Sequence, residues 1–324
     1  MKRLEVYLVL VLLISGLAGC MPSSEKGGLL DIQKESFIYA IKGSDTLRLD
    51  TYNQVKEDHK QRKPVFLFVF GGGFKTGNRA AQEYIPFFEY LAKQGFVVAS
   101  IDYRTILNDA LAKEEPTLVG FATALQQSIG IAVSDLFDAT RFILSQADHW
   151  QIDSTQIIAG GSSAGAITVL QAEYAICNSQ AGIQSLPAHF NYAGIVAYAG
   201  AIQDVAFPSW QKKPCPILLF HGDADRIVPF DRVVIPNVGG LWGAHAVAQS
   251  LDQEGTPYFF YAIANAGHEI ASVPLQTHQQ EFLNFYERLI VNKEKRTIHI
   301  QESVPGEQPV NKSFSLEDFI KANQ

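Results

Sequence analysis

Ser163 sits at the centre of Gly161-Ser162-Ser163-Ala164-Gly165, directly after the largely apolar run Gln156-Ile157-Ile158-Ala159-Gly160. A serine hydroxyl is a useful nucleophile only beside a base that takes its proton. Downstream, Asp225 lies in His221-Gly222-Asp223-Ala224-Asp225, and His268 in Ala266-Gly267-His268-Glu269. An imidazole can accept the serine proton, and a carboxylate can hold that imidazole in the required tautomer. Such a set attacks acyl carbons. Upstream, Gly71-Gly72-Gly73 ends another apolar run. The backbone of Gly72 and Gly73, with the N–H of Ala164, can face the negative oxygen that forms during attack.

Rival residues need weighing. Ser162 adjoins Ser163, but only Ser163 has glycine both two residues before and two residues after it. Of the eight histidines, His268 best fits a turn just beyond a strand. His59 and His149 lie in polar, helix-like stretches, and His189 is on a connector. His221 directly follows a strand and suits a role shaping the acid loop. His245 and His278 belong to helical segments, and His299 to the tail. For the acid, Asp223 and Asp225 both stay open, with Asp204 behind them, because a two-residue shift in a loop reverses a side chain's direction. Gly72 to Gly77 is glycine-rich like a phosphate loop, but Asn78 stands where that loop needs lysine.

These residues need strand ends to carry them. Val65 to Phe70 is apolar without alternation, the pattern of a strand covered on both faces. Phe96 to Ile101, Tyr192 to Tyr198, Pro216 to Phe220 and Tyr258 to Ala262 read the same way. Between them, Ala80–Gln94, Ile129–Ala147, Ala166–Tyr174, Gly240–Glu254 and Thr277–Val291 have helical spacing. Phe37–Ile41 and Thr46–Tyr52 flank Lys42-Gly43-Ser44-Asp45 and predict a hairpin. Thr105 to Gln126 reads as an irregular lid or pocket loop, with a short surface helix as the alternative. The predicted fold class is α/β: a three-layer arrangement with a mostly parallel central sheet flanked by helices. Its functional residues belong beyond the C-terminal ends of the strands.

The 324 residues are 47 % hydrophobic and 18 % charged, which excludes a disordered chain. A formal net charge of -7 with no basic block argues against nucleic acid as a partner. Lys2 and Arg3 precede the apolar run Val6–Leu17 and then Leu17-Ala18-Gly19-Cys20. About twelve apolar residues are too few to span a bilayer comfortably, so residues 1–19 read as a signal peptide. Their end resembles a bacterial lipobox. That resemblance implies cleavage before Cys20, lipidation of Cys20 and a lipid anchor in a bacterial membrane. Met21 in place of aspartate favours the outer membrane. Residues 20–30 then form a tether, 31–292 the main domain, and 293–324 an extension packed on it. Cys177 and Cys215 allow either a disulfide or two buried thiols.

In its ordered motifs the chain resembles esterases and lipases of the α/β-hydrolase superfamily. It is most similar to the bacterial carboxylesterase and hormone-sensitive-lipase-like group. The resemblance runs from Phe37 to Val291 and rests on several segments: Leu49-Asp50-Thr51-Tyr52, Phe70-Gly71-Gly72-Gly73-Phe74, Asp102-Tyr103-Arg104, the Ser163 turn, His221 to Pro229, and Gly267-His268-Glu269. It implies a Ser163–Asp225–His268 triad, favours Asp225 over Asp223, and assigns Gly72, Gly73 and Ala164 as oxyanion donors. It also implies ester hydrolysis through an acyl-enzyme, with no metal or organic cofactor. The expected substrate is a small-molecule or carbohydrate-linked ester, acetyl and feruloyl esters included. A serine peptidase and a non-catalytic anchored binding protein are the other readings. Phe70 stands where the family carries a histidine that supports the glycine loop.

Overall fold

The computed structural model describes residues 32–54, 61–115, 117–236, 238–303, 306 and 308–323. The predicted signal peptide, Cys20 and the tether lie outside the described residues.

Two antiparallel strands, β1 (Ile32–Lys42) and β2 (Asp45–Gln54), form the expected hairpin. Next come β3 (Lys63–Val69), α1 (Ile85–Lys93) and β4 (Val97–Ile101). They are followed by α2 (Leu107–Leu111), α3 (Leu118–Ser145), β5 (Ile152–Ser162) and α4 (Ala164–Cys177). Then come β6 (Gly194–Tyr198), β7 (Ala201–Asp204), β8 (Ile217–Gly222), β9 (Arg232–Ile235) and β10 (Gly239–Gly243). The chain continues through α5 (Ala244–Gln253), β11 (Tyr258–Ile263), α6 (Pro274–Thr277) and α7 (Gln279–Phe285), and ends with β12 (Thr297–Glu302) and α8 (Leu316–Asn323).

Nine strands make one sheet in the order β1-β2-β4-β3-β5-β6-β8-β11-β12. From β4 to β12 every neighbouring pair is parallel. The central strands are buried on both faces: Val65 to Val69 and Ile217 to Phe220 are all fully covered. That is why their sequences do not alternate. On one face, Phe66 meets Phe87 and Phe282 edge-on, with ring centroids 5.6 and 5.1 Å apart. Truncating such a core phenylalanine to alanine costs about 3–5 kcal/mol. Pro86 sits in the first turn of α1, where its missing N–H has no helical partner in any case.

Two expectations need correction. Residues 105–126 are largely helical, forming α2 and the first third of α3. Thr117 caps α3 by accepting the Gly120 N–H at 3.0 Å. Phe121, Leu125 and Ile129 then recur every four residues on its buried side. Residues 239–243 are not helical. They form β10, the middle strand of a separate antiparallel sheet, β7-β10-β9. Of the two readings left open for the cysteines, the structure has Cys177 and Cys215 as free, buried thiols. Both surround the buried Glu173 carboxylate: Cys177 Sγ donates to it, and so does the Cys215 N–H. The extension is attached through β12, which continues the main sheet beside β11.

Candidate active site

Ser163 occupies the sharp turn between β5 and α4, with φ 51° and ψ −117°. That conformation is strained for any residue with a Cβ. The Ser163 N–H donates to the Tyr198 carbonyl at the end of β6, 2.9 Å away, and fixes the turn. Close packing below it demands glycine. A Cβ on Gly161 would lie 2.3 Å from the Gly165 carbonyl carbon.

His268 opens a short 3-10 turn after β11, and Asp225 lies on the loop after β8. Ser163 Oγ is 2.8 Å from His268 Nε2, and His268 Nδ1 is 2.8 Å from Asp225 Oδ2. With Nδ1 donating to the carboxylate, Nε2 carries the lone pair toward the hydroxyl. The His268 side chain is 20 % exposed, so one edge is open to solvent while Asp225 is fully covered. Asp225 Oδ1 accepts the N–H groups of Ile227 and Val228 at 2.8 and 3.1 Å. Burial alone would raise the Asp225 pKa; the hydrogen bonds from His221 and His268 outweigh it and hold the carboxyl well below the usual range.

The glycine run lies against the serine. A Cβ on Gly71 would be 3.3 Å from Ser163 Cβ. Gly72, at φ 131°, admits no side chain because a Cβ would fall 2.1 Å from the Thr76 carbonyl oxygen. Its own carbonyl is turned toward the N–H groups of Lys75 and Thr76. Gly73 follows at φ 62°. Ala164 begins α4, and its N–H is one of the first-turn donors without a partner inside the helix. Phe70 is buried, packs with its ring tilted against Tyr103 at a centroid distance of 4.5 Å, and accepts the Tyr103 hydroxyl on its carbonyl at 3.1 Å. Aromatic packing therefore supports the loop where the family resemblance implies a histidine. Asp102 and Arg104 pair with Arg79 and Asp135, anchoring Tyr103 from both sides.

The remaining candidates are elsewhere. Asp223 pairs with Lys312, Asp204 accepts the Tyr174 hydroxyl, and Ser162 is buried. His245 pairs with Asp231, His278 with Glu302, and His299 stacks on Phe260. His221 is fully buried, with Nε2 3.2 Å from the Val228 carbonyl and 3.4 Å from Asp225 Oδ2. The sequence suggests that it shapes the acid loop, and the structure adds its direct approach to the acid. A cavity of about 450 Å³ lies between α3, α4 and the small sheet, lined by Phe121, Leu125, Gln171, Gln203 and Leu241 among others. Gln171 is eight residues along α4 from Ser163, about 12 Å at helical rise. Among the described residues, no group of three or more His, Cys, Asp or Glu side chains could hold a metal ion.

A search of solved structures finds chains of the same architecture. An esterase from Thermogutta terrifontis with propionate bound superposes with a TM-score of 0.56 at 17 % identity, covering 78 % of this chain and 93 % of that one. The same esterase phosphonylated by sarin gives 0.53 at 16 % identity, covering 82 % and 97 %. The fold is that of an α/β hydrolase. Within it, the BD-FAE family model matches residues 49–115, from β2 to just past α2. Gut esterase 1 of Caenorhabditis elegans is 29 % identical over 134 residues, 40 % of this chain and 21 % of that protein. Fumonisin B1 esterase of Sphingopyxis macrogoltabida is 29 % identical over 129 residues, 38 % and 22 %. The alignments thus span about a fifth of these curated relatives.

Proposed function

We propose that this protein is a serine carboxylic-ester hydrolase. The observation that carries the reading is the unbroken hydrogen-bond line Ser163 Oγ–His268–Asp225, with both links at 2.8 Å. Esterases among the similar proteins support it.

Ser163 attacks the ester carbonyl while His268 Nε2 takes its proton. Asp225 stabilises the imidazolium that results. The N–H groups of Gly72, Gly73 and Ala164 receive the oxyanion. His268 returns the proton to the leaving alcohol, and the acyl group stays on Ser163. Water then gives a proton to His268 and attacks the acyl carbon; the bond to Ser163 Oγ breaks, His268 returns the proton to that oxygen, and the acid leaves. The substrate is a small-molecule or carbohydrate-linked ester, and the protein works from a lipid anchor on Cys20, with the outer membrane favoured.

The test is hydrolysis of acetyl, butyryl and feruloyl esters by wild type and Ser163→Ala, with dipeptidyl substrates alongside. Turnover that disappears in Ser163→Ala supports the reading. Equal rates in both proteins remove Ser163 from the chemistry. Cleavage of dipeptides alone favours a peptidase. Binding to an envelope component without any turnover favours the non-catalytic alternative. Radiolabelled palmitate incorporated by wild type but not by Cys20→Ser tests the anchor.

A further inference from the structure

The loops that carry Asp225 and His268 are joined directly. The Asp223 N–H donates to the Ile263 carbonyl, and the Ala224 N–H to the Ala266 carbonyl, both at 3.0 Å. The Asn265 N–H donates to Asp223 Oδ1 at 2.7 Å. Asn265 holds φ at 59°, a left-handed conformation that asparagine tolerates better than most residues.

Residues of the C-terminal extension then cross both loops. Lys312 Nζ sits 2.6 Å from Asp223 Oδ2, on a carboxylate whose side chain is 8 % exposed. The Val310 N–H donates to Asn265 Oδ1 at 3.3 Å. Arg226, adjacent to Asp225, donates to the Ser313 carbonyl and lies 3.5 Å from Asp318 Oδ2. Beyond these contacts α8 buries Phe319, edge-on to Phe121 of α3 at 5.8 Å. The three loop residues held in this way, Asp223, Arg226 and Asn265, each fall within three residues of Asp225 or His268.

Exposed ion pairs contribute little to global stability. Alignment of catalytic groups is far more demanding: a displacement of about 1 Å can cost 100-fold in rate. A contact set that is modest for stability is therefore well suited to alignment. We propose that the extension is a positioning strap for the catalytic pair, with Lys312 as its chief positioning residue. By clamping Asp223 it fixes the acid loop and, through Asn265, the histidine loop. This rests on the ester-hydrolase reading of the same site.

The experiment uses the full chain and p-nitrophenyl acetate, with Lys312→Met and Lys312→Arg. Lys312→Met should lower kcat about tenfold and leave KM within twofold of wild type. Lys312→Arg, which keeps the charge, should restore kcat to within twofold. In parallel, the low-field proton resonance of the His268 Nδ1–H···Asp225 bond should broaden in Lys312→Met and persist in Lys312→Arg. Where turnover exists, kcat decides. A Lys312→Met kcat within twofold of wild type overturns the proposal. So does a fall that tracks loss of folded protein by circular dichroism, or one that arginine fails to restore. If wild type shows no Ser163-dependent turnover, the ester-hydrolase reading fails, and the resonance alone decides whether the strap positions the pair: an unchanged signal in Lys312→Met overturns it.

Discussion

His221 Nε2 lies 3.4 Å from Asp225 Oδ2, on the same carboxylate oxygen that receives His268 Nδ1. His221 is fully buried, and its Nε2 faces two acceptors, Asp225 and the Val228 carbonyl. The proton therefore belongs on Nε2, which leaves Nδ1 as a buried lone pair without a hydrogen-bond partner. His221 steadies the acid at the same oxygen that His268 contacts. His221→Phe fills similar space without a donor and should lower kcat about tenfold with little change in KM. His221→Gln keeps a donor and should lose less. Equal kcat values in all three proteins would remove His221 from the positioning of Asp225.

Asp225 also sets a pH dependence of stability. Its carboxyl titrates below the usual range in the folded protein and near 3.9 when unfolded. The folded state thus favours the ionised form. The sign follows: this stabilisation is complete above about pH 5 and is lost as pH falls through the unfolded value toward the folded one. Urea unfolding between pH 6 and pH 3 should show stability falling more steeply in wild type than in Asp225→Asn. Parallel curves for the two proteins would contradict the linkage.

Gly165 backs onto the strand that leads to the glycine loop. A Cβ there would lie 2.0 Å from the Val69 carbonyl oxygen and 2.7 Å from that of Phe70. Both obstacles are backbone, so neither can swing aside. Gly165→Ala should destabilise the protein by about 3 kcal/mol or more, or prevent soluble expression. A Gly165→Ala protein with wild-type thermal midpoint and activity would show that α4 and β3 can separate without penalty.

Much of this site was readable because its parts are local. A glycine that must touch backbone and a serine in a forced turn leave marks at fixed spacing. Fully buried strands such as Val65–Val69 leave apolar runs. What stayed hidden depends on contacts distant in sequence. Local spacing leaves Asp223 and Asp225 both open, and the contact that occupies Asp223 comes from Lys312, 89 residues away. β7, β9 and β10 are four or five residues long, and glycines open β10, so no period develops. In α3, Gly120 and Gly130 obscure a helix that a Thr117 cap and a four-residue apolar rhythm sustain.

The two thiols near Glu173 provide the last test. Burial, reinforced by the neighbouring Glu173 carboxyl, pushes both Cys177 and Cys215 well above the ordinary thiol range. Reaction with a disulfide reagent needs thiolate and access, and both are denied here. In a Cys20→Ser protein, Ellman's reagent should find no reactive thiol under native conditions and two after denaturation without reductant. Zero thiols after denaturation would mean that the pair is oxidised. Rapid native reaction would instead mean that the α4 terminus opens often enough to expose them, and that Glu173 is not held in a closed core.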